Sequence, residues 1–223
     1  MPREREAAET LSQARRLWLA AALAAVAYGV SLRDAPYPDQ AAAKVLMPVL
    51  LLLTSRHHAS TRERTWLCAA LAASTMGDAL LAMPQLSFSF IGGLSAFLIA
   101  HVAYCALLAP LAGQPRGWRR IALPLLWGAA LLAYVGFLPH LGELKAPVAA
   151  YMLVLCAMAS LAVSARLPHV TVALGGLAFV SSDAMIAIDR FIGTFPGSGY
   201  GIWATYAIAQ LSLVDGIVLR RGN

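Results

Sequence analysis

Long apolar runs separated by short polar breaks dominate the chain. They fall at about 17–32, 39–55, 65–83, 88–112, 119–138, 145–165, 169–190 and 200–219. None shows the every-other-residue alternation of a half-buried strand. A backbone inside hydrocarbon must satisfy its own amides and carbonyls, which leaves helices or closed barrels, and continuous apolar runs select helices. The pattern predicts an all-α polytopic membrane protein, a bundle of eight transmembrane helices. Residues 1–16 form a polar N-terminal segment, 17–219 the bundle and 220–223 a short tail. The first run has the basic flank of a secretory signal. The following Arg33-Asp34-Ala35-Pro36 offers no convincing small-residue cleavage site, so the run is read as a helix. The second run is short for a span. The fourth exceeds the ~20 residues a span needs and should tilt or protrude.

Composition sharpens this picture. Of 223 residues, 60% are hydrophobic and 13% charged, against about 25% charged in a soluble domain. The net charge of +6 raises the question of nucleic acid, but the basic residues sit at the ends of apolar runs. With the N-terminus cytoplasmic, Arg33, Lys145 and Arg190 fall outside and Lys44 lies within a span. The remaining basic residues, Arg3, Arg5, Arg15, Arg16, Arg56, Arg62, Arg64, Arg116, Arg119, Arg120, Arg166, Arg220 and Arg221, all fall inside. That bias follows the positive-inside rule, and a missed helix would scramble it. The expectation is an integral, multi-pass protein of a bacterial inner membrane, with both termini cytoplasmic, the bilayer as partner and no nucleic acid. Cys68, Cys105 and Cys156 lie inside apolar runs without a CxxC pair, as buried reduced thiols do.

Against this background the intramembrane polar residues stand out. A charge at bilayer depth costs about 2.5–3.5 kcal/mol on insertion scales. Asp78, in Ser74-Thr75-Met76-Gly77-Asp78-Ala79, and Asp183, in Val180-Ser181-Ser182-Asp183-Ala184, each follow a small residue in an apolar run. Lys44 precedes Pro48 by four residues, so its carbonyl loses its helical donor. His101 and Tyr104 lie one turn apart, on a stripe with Gly93 and Phe97. Trp203, Tyr206 and Gln210 share a face of the last run. At ~1.5 Å per residue, Lys44, Asp78, Asp183 and Tyr206 lie roughly 8–10 Å from the outer ends of their spans, Gln210 about 15 Å, and His101 nearer the middle. Groups from five helices thus share the outer half, as in a polar chamber open outward. Two carboxylates and one lysine leave a surplus negative charge, so one acid should keep its proton while the other ionises, an arrangement suited to acid–base hydrolysis. Bland alternatives exist: a structural Lys44–Asp78 ion pair, a core histidine at 101, and Tyr104, Tyr206 and Gln210 as helix glue.

At these residues the chain resembles the YhhN-like lysoplasmalogenase family of integral membrane hydrolases. The resemblance is carried by Lys44 with a nearby proline, Gly77-Asp78, Phe90-x-x-Gly93-Leu94-x-x-Phe97-x-x-x-His101-x-x-Tyr104, Ser182-Asp183 followed by Phe191, and Tyr206-x-x-x-Gln210. It implies hydrolysis of the vinyl ether bond of lysoplasmalogens, giving a fatty aldehyde and glycerophosphoethanolamine or glycerophosphocholine. Asp78 and Asp183 would be catalytic, with the choice of acid open. Lys44, His101, Tyr104, Ser182, Tyr206 and Gln210 would orient water and head group. The substrate would be a lysophospholipid, with no cofactor and no metal. A proton-coupled transporter using the same acids is the competing reading, since paired intramembrane acids also serve as proton relays. A zinc amidase would need several deep histidines, and only His101 is deep in a run.

Overall fold

The computed structural model describes residues 2–220, and side chains from residue 8 onward. Met1, the Arg221–Asn223 end of the expected tail, and the side chains of Arg3 and Arg5 lie outside the described residues. Eight α-helices are present among the described residues: α1 (Pro2–Ser31), α2 (Gln40–Ser55), α3 (Thr61–Leu81), α4 (Ser89–Leu108), α5 (Arg119–Phe137), α6 (Lys145–Ser164), α7 (Thr171–Phe191) and α8 (Ser198–Val214), the last continuing as a π-helical turn over Asp215–Leu219. The only strand-like feature there is an isolated bridge between Ala112 and Ala165.

The apolar run expected from Leu17 is the second half of a longer helix. Residues 2–16 are rich in Ala, Glu and Arg, strong helix formers, so α1 extends back through them. Of the eight expected spans, six correspond to helices that, among the described residues, are long and apolar enough to cross a membrane: α1, α4, α5, α6, α7 and α8. α2 has only 16 residues. α3 is long enough, but Arg62, Glu63, Arg64 and Asp78 dilute its apolar character. These two helices carry the polar pair Lys44 and Asp78, and they pack on each other and on α1, α4 and α8.

Apart from α4 and α5, neighbours along the chain pack side by side, and α8 returns to α1, while α4 contacts α6 directly and leaves α5 outside. Two indole nitrogens pin the closure: Trp18 donates to the Leu211 carbonyl at 3.0 Å and Trp203 to that of Ala25 at 2.8 Å. Chain direction therefore alternates, and the end of the bundle where α1 stops and α2 starts also holds the starts of α4, α6 and α8.

Small residues let α7 approach both neighbours, as membrane bundles require. A Cβ on Gly176 would meet Ala162 at 2.7 Å, and one on Gly175 would meet Leu213 at 2.8 Å. Gly176→Val should therefore cost about 1–3 kcal/mol through overpacking. Gly136→Val, where a Cβ meets nothing within 4 Å, should cost far less. Thermal unfolding of both variants in detergent checks the difference; equal midpoints would contradict it.

Candidate active site

Pro48 inside α2 leaves the Lys44 carbonyl without its helical donor, and from this turn the Lys44 side chain reaches α3. Its Nζ lies 3.3 Å from Oδ1 of Asp78, with Asp78 only 2% exposed. The other oxygen, Oδ2, is buried and has no hydrogen-bond partner. The Tyr206 phenol stands beside this carboxyl. Behind it runs a buried chain: Tyr104 donates to Gln210 Oε1 at 2.5 Å, and Gln210 Nε2 donates to the Tyr206 hydroxyl at 3.1 Å. With its oxygen accepting from Gln210, Tyr206 has its own proton left for Asp78.

Asp183 sits in a second cluster. Its Oδ2 accepts from the Tyr151 hydroxyl at 2.6 Å and from His101 Nε2 at 3.1 Å, and the last two groups are themselves 3.1 Å apart. His101 is fully buried, and its Nδ1 has no partner. A bare lone pair is cheaper to bury than an unpaired N–H, which places the histidine proton on Nε2, facing Asp183. The ring is held edge-on by Phe179, centroids 4.6 Å apart.

Gly77 precedes Asp78 for a packing reason. A Cβ there would lie 2.7 Å from the Phe97 ring. The glycine is the socket in which Phe97 sits, between Tyr206 (5.8 Å) and Phe179 (6.3 Å).

Two cavities meet at these groups. A chamber of about 210 Å³ is lined by Tyr28, Gln40, Lys44, Asp78, Ser182, Asp183, Trp203 and Tyr206, among others. Leu32, Gln40 and Gly199 in its wall lie at or just beyond helix ends, so it reaches the end of the bundle where α2 and α8 begin. An apolar slot of about 260 Å³ lies between α3, α4, α5, α6 and α7. Both are walled by Leu81, Phe97, Asp183 and Ile186.

The residues singled out from the sequence therefore fall in three places. Lys44, Asp78, Asp183, Ser182 and Tyr206 line the chamber. His101 is one hydrogen bond behind it, and Tyr104 and Gln210 support Tyr206 from within the bundle. The Ser182 hydroxyl is committed to the Ile202 carbonyl at 3.0 Å and ties α7 to α8. Asp189, beside Arg190 near the end of α7, is half-buried, with Oδ1 unpartnered. Tyr151 was missed. It lies in the second turn of α6, about 9 Å from the helix start, the same layer as the acids, and that depth was the available signal. Among the described residues no three His, Cys, Asp or Glu side chains stand close enough to share a metal ion.

Comparison with known proteins gives a consistent result. The model of the YhhN family matches residues 40–217. A protein named lysoplasmalogenase from Mycobacterium bovis is 39% identical over 220 residues, covering 92% of this chain and 84% of its own length. One of the same name from Mycobacterium tuberculosis aligns to the same extent. Lysoplasmalogenase TMEM86B of Rattus norvegicus is 36% identical over 155 residues, 67% of this chain and 60% of its own. No solved structure matches.

Proposed function

The chain belongs to the YhhN family, and from that premise we propose that it hydrolyses the vinyl ether bond of lysoplasmalogens with Asp78 and Asp183 in one intramembrane chamber. The products are a fatty aldehyde and glycerophosphoethanolamine or glycerophosphocholine. The observation that carries this reading is the meeting of two acids from α3 and α7 in one buried chamber that adjoins an apolar slot.

The surroundings of the acids differ, and the difference divides their labour. Asp78 has an ammonium at 3.3 Å, which favours its anionic form and makes the pair neutral overall. Asp183 has only neutral donors, both on Oδ2, so a proton on Oδ1 leaves the site without excess charge in a medium where charge is costly. Asp183 is also the acid that faces the apolar slot. The carbon to be protonated lies on the chain side of the ether oxygen, so Asp183 is placed to be the general acid.

The cycle then balances. Asp183 gives its proton to the β-carbon, and the alkene pair becomes the new C–H bond. The resulting oxocarbenium ion lies between two carboxylates and is walled by the aromatic groups Phe97 and Tyr206, whose faces favour a cation. Water adds to the carbon that bears oxygen while Asp78 takes its proton, forming a hemiacetal. Asp78 returns that proton to the glycerol oxygen as the C–O bond breaks, and Asp183 takes the hemiacetal hydroxyl proton. Both acids regain their starting states. Lys44 keeps Asp78 ionised, while His101 and Tyr151 hold Asp183.

The proposal extends to topology. All eight helices cross the bilayer or nest within the bundle, both termini are cytoplasmic in a bacterial inner membrane, and the chamber opens to the opposite side. The positive-inside bias supports that orientation.

Purified protein should release aldehyde from an alkenyl lysolipid and none from its saturated ether analogue. No release from either, with proton-coupled uptake in vesicles, would favour a transporter. Tyr151→Phe removes one neutral hydrogen bond on Asp183, worth about 0.5–1.5 kcal/mol. It should lower kcat roughly two- to tenfold with little change in KM, measured by steady-state aldehyde release.

A further inference from the structure

We propose that the apolar slot is the binding site of the substrate's alkenyl chain, and that Ala130 and Ala133 of α5 set which chain lengths fit. The inference rests on the vinyl-ether reading above. A single-chain lipid whose head group occupies the polar chamber must send its chain somewhere. The slot joins the chamber at Asp183, so a chain leaving the reacting bond at that carboxyl enters it directly.

The chemistry of the lining fits hydrocarbon. Asp183 and the Tyr151 hydroxyl are the polar side-chain groups on the slot wall, and they are hydrogen-bonded to each other where slot and chamber meet. The remaining wall is aliphatic or aromatic apart from the sulfur atoms of Met152 and Cys156. A head group placed there would forfeit its hydrogen bonds, whereas an alkenyl chain forfeits nothing. The elongation of the slot fits as well. On α7 the slot wall runs from Val180 to Phe191 and on α5 from Leu126 to Phe137, about 16 Å of helix rise on each. The chain therefore lies along the helices, beside the lipid chains outside.

Specificity follows from α5. Ala130 and Ala133 are half-buried and contribute only methyl groups to the wall. The helix is packed chiefly on α6, and its outer face is bare, with Leu132 75% exposed. A larger side chain at Ala133 should fill the slot before it disturbs the bundle core.

The test compares wild type with Ala133→Phe on lysoplasmalogens that share one head group and carry propenyl, dodecenyl, hexadecenyl or octadecenyl chains. In wild type, kcat/KM should rise with chain length. In Ala133→Phe, the octadecenyl-to-propenyl ratio of kcat/KM should fall at least tenfold, mainly through KM. An unchanged ratio would overturn the proposal, as would chain-length-independent rates in wild type. Should Ala133→Phe not fold, Ala130→Leu carries the same expectation. Independently, an octadecenyl lysolipid with a diazirine near the chain end should label α5 or α7 of the wild-type protein on irradiation. Labelling confined to α1, α2 or α8 would overturn the assignment. If wild type hydrolyses no alkenyl lysolipid, the vinyl-ether reading itself fails; if it hydrolyses all chain lengths equally, only the slot assignment does.

Discussion

Asp183→Asn should lower kcat for aldehyde release by about 10²- to 10⁴-fold, the usual range for losing a general acid, while the protein unfolds at nearly the wild-type temperature. Asparagine retains an oxygen that can accept from both Tyr151 and His101, the two donors now on Oδ2. The cluster that holds α4, α6 and α7 together therefore survives, and only the transferable proton is removed. KM should change little, because the acid's contribution falls in the transition state. A purely structural Asp183 would give the reverse pattern, with lowered stability and rate lost only in proportion to unfolded protein. Scanning fluorimetry beside initial rates separates the two.

The second large effect concerns charge. Asp78→Asn leaves the Lys44 ammonium, 18% exposed, without its anion inside the bundle. Breaking a buried ion pair from one side costs about 3–5 kcal/mol, more than removing both partners. Asp78→Asn should thus lose both stability and activity. Adding Lys44→Met should restore most of the stability and none of the activity, because in the proposed mechanism the group that accepts the proton of water is still missing. Recovery of aldehyde release in the double variant would show that Asp78 serves only to neutralise Lys44. Chemical denaturation and turnover, measured on the three variants together, decide this.

Much of the architecture was legible because the solvent imposes it. A run that must live in lipid cannot hide its polar residues, so Lys44, Asp78 and Asp183 announced themselves by their cost. Helix rise alone places them in one layer. The number of spans was less legible. Residue-by-residue apolarity does not distinguish α3, diluted by Arg62, Glu63, Arg64 and Asp78, from a helix that faces lipid all round. The start of α1 was equally hidden, because the Ala-, Glu- and Arg-rich segment before Leu17 gains its helicity from propensity and not from burial.

Within the site, the sequence pointed to the right layer but not to the pairings. Spacing along one helix cannot say that Tyr151 of α6 reaches Asp183 of α7, or that Gln210 stands between Tyr104 and Tyr206. Nor does the sequence reveal that Ser182, in the chamber wall, gives its proton to the Ile202 carbonyl. Gly77 looked like part of a Gly-Asp motif and is a socket for Phe97. The apolar slot had no sequence signature, because its wall is drawn from five helices that are each apolar throughout.

Protonation of the chain by an acid fixed in the chamber can be tested on the product itself. Hydrolysis in D₂O, with the aldehyde reduced to alcohol as it forms, reports where the proton goes. Delivery from one fixed carboxyl, Asp183, should place a single deuterium on the carbon next to the former aldehyde, in one configuration. A product without deuterium at that carbon, or one carrying both configurations equally, would contradict protonation of the chain by an acid held in the chamber.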